Sequence, residues 1–157
     1  MRIITSLVAF CVFAGCAGPQ QTAGVNDGDA PLETSLIYIE GDFTLEEGFS
    51  LAGDLLQQER FTISSSDRDL GSINTEAQQV TDTEFGFIGT TTYVQLSIYV
   101  EENQIRLSGQ HGESQESYNQ EIKKFGQSGS MTRNAWAVMH QLAEMMADNL
   151  NGQLNYE

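Results

Sequence analysis

Two histidines, His111 and His140, are the only imidazoles in the chain, so a nucleophilic or acid–base site would have to be built around one of them. A nucleophilic triad needs a Ser or Cys beside a His that a carboxylate orients. His111 sits in "GQHGES", within a polar stretch, and His140 lies between Met139 and Gln141 beside an apolar helical stripe. Neither belongs to an HExxH or HxH pattern, and no G-x-S-x-G occurs. They read as a solvated loop histidine and a helix-margin histidine. "DRDLGSINTE" (67–76) has the look of a calcium loop, but the EF-hand form needs Gly sixth and Glu twelfth. Here Gly71 is fifth and Glu76 tenth, so Asp67 and Asp69 are read as turn residues entering a strand. Zinc lacks clustered thiols or imidazoles. "GFIGTT" (86–91) lacks the lysine and the strand-to-helix setting of a phosphate loop. The sequence therefore predicts no catalytic residue, no metal site and no cofactor.

Cys16 is the remaining candidate for covalent chemistry. In "FAGCAGPQQ" (13–21) it closes an apolar run from Ile3 to Phe13 and opens a polar stretch. It could end a membrane helix, form half of a disulfide, or be modified. A spanning helix needs about 20 apolar residues, and this run has about half that number. Arg2, the short apolar run and the small pair Ala14-Gly15 are the parts of a secretory signal peptide. Phe13-Ala14-Gly15-Cys16 also resembles the lipobox of bacterial lipoproteins, with Phe13 where Leu is usual and a second cysteine, Cys11, inside the apolar run. The resemblance covers residues 1–16. It implies removal of residues 1–15, a diacylglyceryl group on the Cys16 thiol and an acylated new N-terminus. Cleavage would remove Cys11 and leave Cys16 without a disulfide partner, in a compartment that permits one. Acyl burial contributes about 0.8 kcal/mol per CH₂, so several chains hold a domain firmly to a bilayer. Ala17 and Gly18 follow the cysteine. The Asp that often marks inner-membrane retention in such lipoproteins is absent, which implies the outer membrane.

The charge balance agrees with a surface role. The full chain carries −15, and loss of Arg2 makes residues 16–157 one unit more negative. Such a surface repels nucleic acid and anionic headgroups, which excludes nucleic acid as a partner. It suits a domain held clear of the membrane, a saline habitat or a basic partner.

The elements follow from periodicity. Residues 16–34 join the lipidated cysteine to a flexible linker, rich in Gly, Ala, Pro, Gln and Asp, with a reach of roughly 20–25 Å. A single domain is expected over 35–157. Leu36 to Ile39 form a short strand. Thr44 and Glu47 make a capping box for a helix ending near Gln58, with Leu45, Phe49, Ala52 and Leu56 on one face. Gly48 and Gly53 weaken it unless close packing explains them. Phe61, Ile63 and Ser65 mark a second strand, and Ile73, Thr75 and Ala77 a third. Residues 81–91 read equally as a loop or a bulged strand end. Residues 91–110 predict a hairpin turning at Glu102-Asn103, which places Val100 opposite Ile105 and Ile98 opposite Leu107. A polar stretch, 109–130, precedes a last helix capped at Ser130 or Thr132 and ended by Gly152. Ala135, Val138, Met139, Leu142, Met145, Met146 and Leu150 form its stripe, with Trp136 at the margin.

The order β-α-β-β-β-β-α predicts an α+β two-layer sandwich, an antiparallel sheet of about four to five strands with two helices on one face. In element order this is similar to small envelope-assembly lipoproteins of the BamC and LptE type. Two surfaces are candidates for binding. Tyr93, Tyr99 and Arg106 share the polar side of the hairpin, where Tyr and Arg favour partner contacts. Phe49, Leu56, Trp136 and Met139 would line any ligand cleft between helices and sheet. The only lysines, Lys123 and Lys124, lie in "SYNQEIKKFGQSGS", a contact loop or a soluble connection. The expected function is non-catalytic: a lipid-anchored envelope protein, an accessory or scaffold subunit for another envelope protein. A small-ligand-binding lipoprotein is the alternative.

Overall fold

A computed structural model of the chain describes residues 30–81, 91–124 and 130–157. In chain order its elements are β1 (Ile37–Glu40), α1 (Leu45–Gln58), β2 (Ile63–Asp67), β3 (Ser72–Thr75), β4 (Gln78–Thr81), β5 (Thr91–Glu101), β6 (Gln104–Ser114), β7 (Ser117–Glu121), α2 (Ser130–Leu150) and β8 (Gln153–Tyr156). The fold is α+β, with one antiparallel sheet and two helices. Cys16, residues 1–15 and, of the undecided stretch 81–91, residues 82–90 lie outside the described residues.

The long β5–β6 hairpin is the spine. β5 alternates buried Val94, Leu96, Ile98 and Val100 with more accessible neighbours, and β6 answers with Ile105 and Leu107. The chain turns at Glu102-Asn103, where Asn103 takes φ 66°, a left-handed conformation that asparagine tolerates. Val100 pairs with Ile105, Ile98 with Leu107 and Tyr99 with Arg106, the register that the apolar alternation predicts. Each long strand carries two short ones on its outer edge. β5 holds β3 near the turn (Ile98↔Ile73) and β4 further along (Val94↔Gln78). β6 holds β1 near the turn (Ile105↔Ile39) and β7 further along (Gln110↔Glu121). β8 and β2 close the two margins of the order β2-β3-β5-β6-β1-β8.

The sheet has eight strands rather than four to five. The difference lies in β4 (QQVT), β7 (SYNQE) and β8 (QLNY), short amide-rich segments with too few apolar residues to announce themselves. Each is a strand because a long or central neighbour offers it a backbone ladder, which is a tertiary cause. The single strand expected through 71–78 is split, and Ala77 falls between β3 and β4.

One core cluster joins the inward side chains of the sheet to both helices. The capping box of α1 is formed: the Glu47 backbone N–H donates to Thr44 Oγ1 at 3.2 Å and the Thr44 N–H donates to the Glu47 carboxylate at 2.9 Å. Its buried stripe is Gly48, Ala52, Leu55 and Leu56, with Leu45 and Phe49 only half-buried. The stripe is displaced from the expected one because Gly48 allows a close approach to β5. A Cβ built there would lie 2.9 Å from Val100 Cγ1 and 3.2 Å from the Phe43 ring. On α2, Trp136 is buried along with the stripe. The helix ends where Asn151 takes φ 51° and the Gly152 N–H reaches Ala147 O at 2.8 Å.

The chain is held in place before β1. Ala30 and Thr34 are buried, the Glu33 N–H donates to Lys124 O, and the Lys124 N–H donates to Thr34 O. Lys124 Nζ donates to Ala30 O at 2.7 Å, and the Ser35 and Leu36 N–H groups both donate to Glu157 O. Residues 30–34, read from composition as linker, thus pack against the domain.

Candidate functional site

The other half of each strand's side chains points away from the core. Register sets six of them in one row across the sheet: Asn155 on β8, Tyr38 on β1, Arg106 on β6, Tyr99 on β5, Ser72 on β3 and Asp67 on β2. Arg106 lies at the centre, its Cζ 5.0 Å from the Tyr99 ring centroid, within cation–π range. On its other side the Tyr38 hydroxyl donates to Glu157 Oε2 at 2.6 Å. That hydrogen bond, with burial and the Glu157 charge behind it, raises the Tyr38 pKa above the ordinary tyrosine value, while Arg106 acts in the opposite sense.

Neighbouring polar groups are satisfied by each other. Asn74 Nδ2 donates to Ser65 Oγ at 3.2 Å and accepts at Oδ1 from Ser97 Oγ at 2.9 Å. Glu40 accepts from Gln104 Nε2 at 3.3 Å and from Asn155 Nδ2 at 3.0 Å. Ion pairs form elsewhere, at Arg68–Glu46 (2.8 Å) and Lys123–Glu121 (3.3 Å). The exposed guanidinium of Arg106 has no carboxylate within 4.0 Å and no hydrogen-bond acceptor among the described residues.

The predicted Tyr93–Tyr99–Arg106 patch is therefore two patches. Tyr99 and Arg106 meet, but Tyr93 is six residues up the same strand, roughly 20 Å away. There it faces Gly112, whose other neighbour is Tyr118. Gly112 has no room for a side chain, since a Cβ would fall 1.7 Å from Ser117 O. Tyr38 belongs to the site and the sequence reading missed it. Alternation in "IYIE" places it opposite Ile37 and Ile39, but the pairing of β1 with β6 is not a local signal.

The four residues expected at a ligand cleft are core packing. Leu56 and Met139 are fully buried, Trp136 nearly so, and Phe49 packs against the same cluster half-buried. The histidines are a correction of a different kind: neither is solvated. β6 runs on to Ser114, and its inward alternation carries His111 to the core side, where burial lowers its pKa below the ordinary imidazole value. His140 is 1% exposed. Its Nε2 lies 2.9 Å from the Tyr156 hydroxyl, its Nδ1 3.7 Å from Glu144 Oε1, and its ring stacks on Tyr156 at 5.8 Å. The strand that brings Tyr156 over α2 is β8, which the sequence did not announce.

A shallow hollow at the hairpin tip is bordered by Glu40, Glu101, Glu102, Asn103 and Gln104. Among the described residues, no three His, Cys, Asp or Glu side chains are grouped to hold a metal ion. No described helix is long and apolar enough to cross a membrane.

No protein family matches the chain by sequence profile, and no curated protein matches it. Among solved structures it is similar to a DUF4468 family protein from Bacteroides ovatus, at 10% identity and a TM-score of 0.40, over 78% of this chain and 86% of that one. A likeness of this degree carries no functional argument.

Proposed function

We propose that the protein is a non-catalytic, lipid-anchored protein of the bacterial envelope, tethered through Cys16 and acting as an accessory or scaffold subunit that binds another envelope protein. The domain is a two-layer sandwich with both helices on one face, and the other face of the sheet is the working surface. The observation that carries the reading is the Tyr38–Arg106–Tyr99 row, which presents a guanidinium without an ion-pair partner among the described residues, between two tyrosines on a polar sheet face. Tyr and Arg in such settings dominate the energetics of protein interfaces. The burial of both histidines on the core side argues against imidazole chemistry at the surface. The lipobox resemblance around Cys16 supports the anchor, and the absence of Asp after it favours the outer membrane.

The test is fractionation and cross-linked capture of the full chain from membranes, beside Cys16→Ala and the double variant Tyr99→Ala/Arg106→Ala. The expected result is that Cys16→Ala moves the protein to the soluble fraction, and that the double variant keeps the membrane location but loses the captured envelope protein. A wild-type protein found soluble, or one captured with no companion, refutes the proposal.

A further inference from the structure

We infer that the outer sheet face docks a basic segment of the partner protein: Glu40, Glu101, Asp67 and Glu157 form an anionic rim around Tyr38, Arg106 and Tyr99, and Lys or Arg side chains of the other protein seat against that rim. This rests on the envelope-partner reading above and names the chemistry of its contact.

The rim carboxylates keep their charge uncompensated. Glu46 pairs with Arg68 and Glu121 with Lys123, whereas Glu40, Glu101, Asp67 and Glu157 have no cation within 4.0 Å among the described residues. Three of them are held by neutral donors instead: Glu40 by Gln104 and Asn155, Asp67 by the Leu70 N–H at 3.0 Å, and Glu157 by the Tyr38 hydroxyl. Such donors orient a carboxylate without neutralising it, so the field of the rim is set before a partner arrives. Register places the four around the tyrosines rather than among them. Glu40 and Glu101 flank Gln104 in the row nearest the hairpin turn, where they border the hollow at its tip. Asp67 ends the Tyr38–Arg106–Tyr99 row at one margin, and Glu157, bonded to Tyr38, lies at the other. A centre of tyrosine and arginine inside a charged rim is the layout of a protein interface. Arg106 lies inside the rim against the Tyr99 ring, so four negative charges against one positive leave this part of the face anionic. With −15 on the whole chain, long-range attraction favours a cationic partner and repels an anionic one. The half-exposed tyrosine rings offer the same cationic groups a second contact, since Lys and Arg bind aromatic faces.

Photo-capture reads the chemistry of the occupant. In the full, lipidated chain in membranes, p-benzoylphenylalanine in place of Gln110, on the same exposed face, links to whatever lies against the sheet. Peptide mass spectrometry then locates the segment it strikes. Two triple variants carry the same change in net charge. One, Glu40→Gln/Asp67→Asn/Glu101→Gln, neutralises the rim, and each amide keeps an acceptor oxygen for the neutral donors. The other, Asp54→Asn/Glu59→Gln/Asp148→Asn, neutralises three carboxylates of the helix layer. All are compared with wild type at a temperature where circular dichroism shows them folded. The expected outcome is a captured protein whose linked segment is rich in Lys and Arg. The rim variant should lower capture about tenfold, and the helix-layer variant should stay within about twofold of wild type. If a protein is captured through a segment without Lys or Arg, or if the two variants lose capture equally or not at all, the basic-segment inference fails and the partner reading stands. If position 110 links only to lipid, or to nothing, both fail.

Discussion

Two glycines in α1 should respond to the same substitution with opposite signs. An internal helical glycine costs about 1 kcal/mol relative to alanine, chiefly through backbone entropy. At Gly53 a built Cβ meets nothing within 4 Å, so Gly53→Ala should return nearly all of that and stabilise the domain by about 0.5–1 kcal/mol. At Gly48 the same Cβ lies 2.9 Å from Val100 Cγ1, with two Phe43 ring atoms at 3.2 Å. Val100 is β-branched, nearly fully buried and fixed by its pairing with Ile105, so it has little freedom to yield. Overpacking of this kind costs about 1–3 kcal/mol, which outweighs the propensity gain and leaves Gly48→Ala about 1 kcal/mol less stable than wild type. The two variants should therefore differ by roughly 2 kcal/mol, or roughly 6–10 °C in melting temperature for a domain of this size. Urea unfolding of the three proteins at a common m-value measures it. A Gly48→Ala domain as stable as wild type would refute the claim that α1 presses its glycine against β5.

Other substitutions probe the core and its polar exceptions. Thr92 is fully buried and its Oγ1 has no hydrogen-bond partner among the described residues, so Thr92→Val should stabilise the fold by about 1 kcal/mol in the same unfolding assay. Met139→Ala removes a fully buried side chain between α2 and the sheet and should cost about 2–5 kcal/mol, a loss of cooperative unfolding being the extreme result. Burial keeps the folded-state pKa of His111 below its unfolded value, so on acidification the unfolded chain takes up that proton first. The stability His111 contributes is thus full above about pH 6.5 and lost as pH falls toward the lowered folded value. Stability measured between about pH 7.5 and 5 should fall more steeply for wild type than for His111→Gln, and equal slopes would refute the assignment.

The parts of the fold legible in the sequence are those whose cause is local. Thr44 and Glu47 are three residues apart and cap their helix by direct contact. Alternation around a two-residue turn fixes the β5–β6 register without help from elsewhere. What stayed hidden depends on partners distant in the chain. "QLNY" is a strand because β1, more than a hundred residues earlier, offers it a ladder, and His140 is buried because that strand covers it. Gly48 shows the same in miniature, since its helical cost was visible while its reason, Val100, was not. At the candidate site, Tyr99 and Arg106 were found together because a hairpin joins them. Tyr38 was missed because its neighbour is 68 residues away, and Tyr93 was misplaced because a shared face is not a shared patch.

The clamped start of the domain has a mechanical side. If Cys16 holds the protein to a bilayer, tension passed along the chain reaches β1 through residues 30–36 and loads their hydrogen bonds to Lys124 and Glu157 on the way. That strand has an antiparallel neighbour on each side, β6 and β8, so a pull along its axis loads two ladders in shear at once. Bonds loaded in parallel must give way together rather than one after another, and the resistance is set by the rate of that concerted opening. The fold thus seats the strand that takes the strain between two others, where a marginal strand in the same place would be peeled off the sheet.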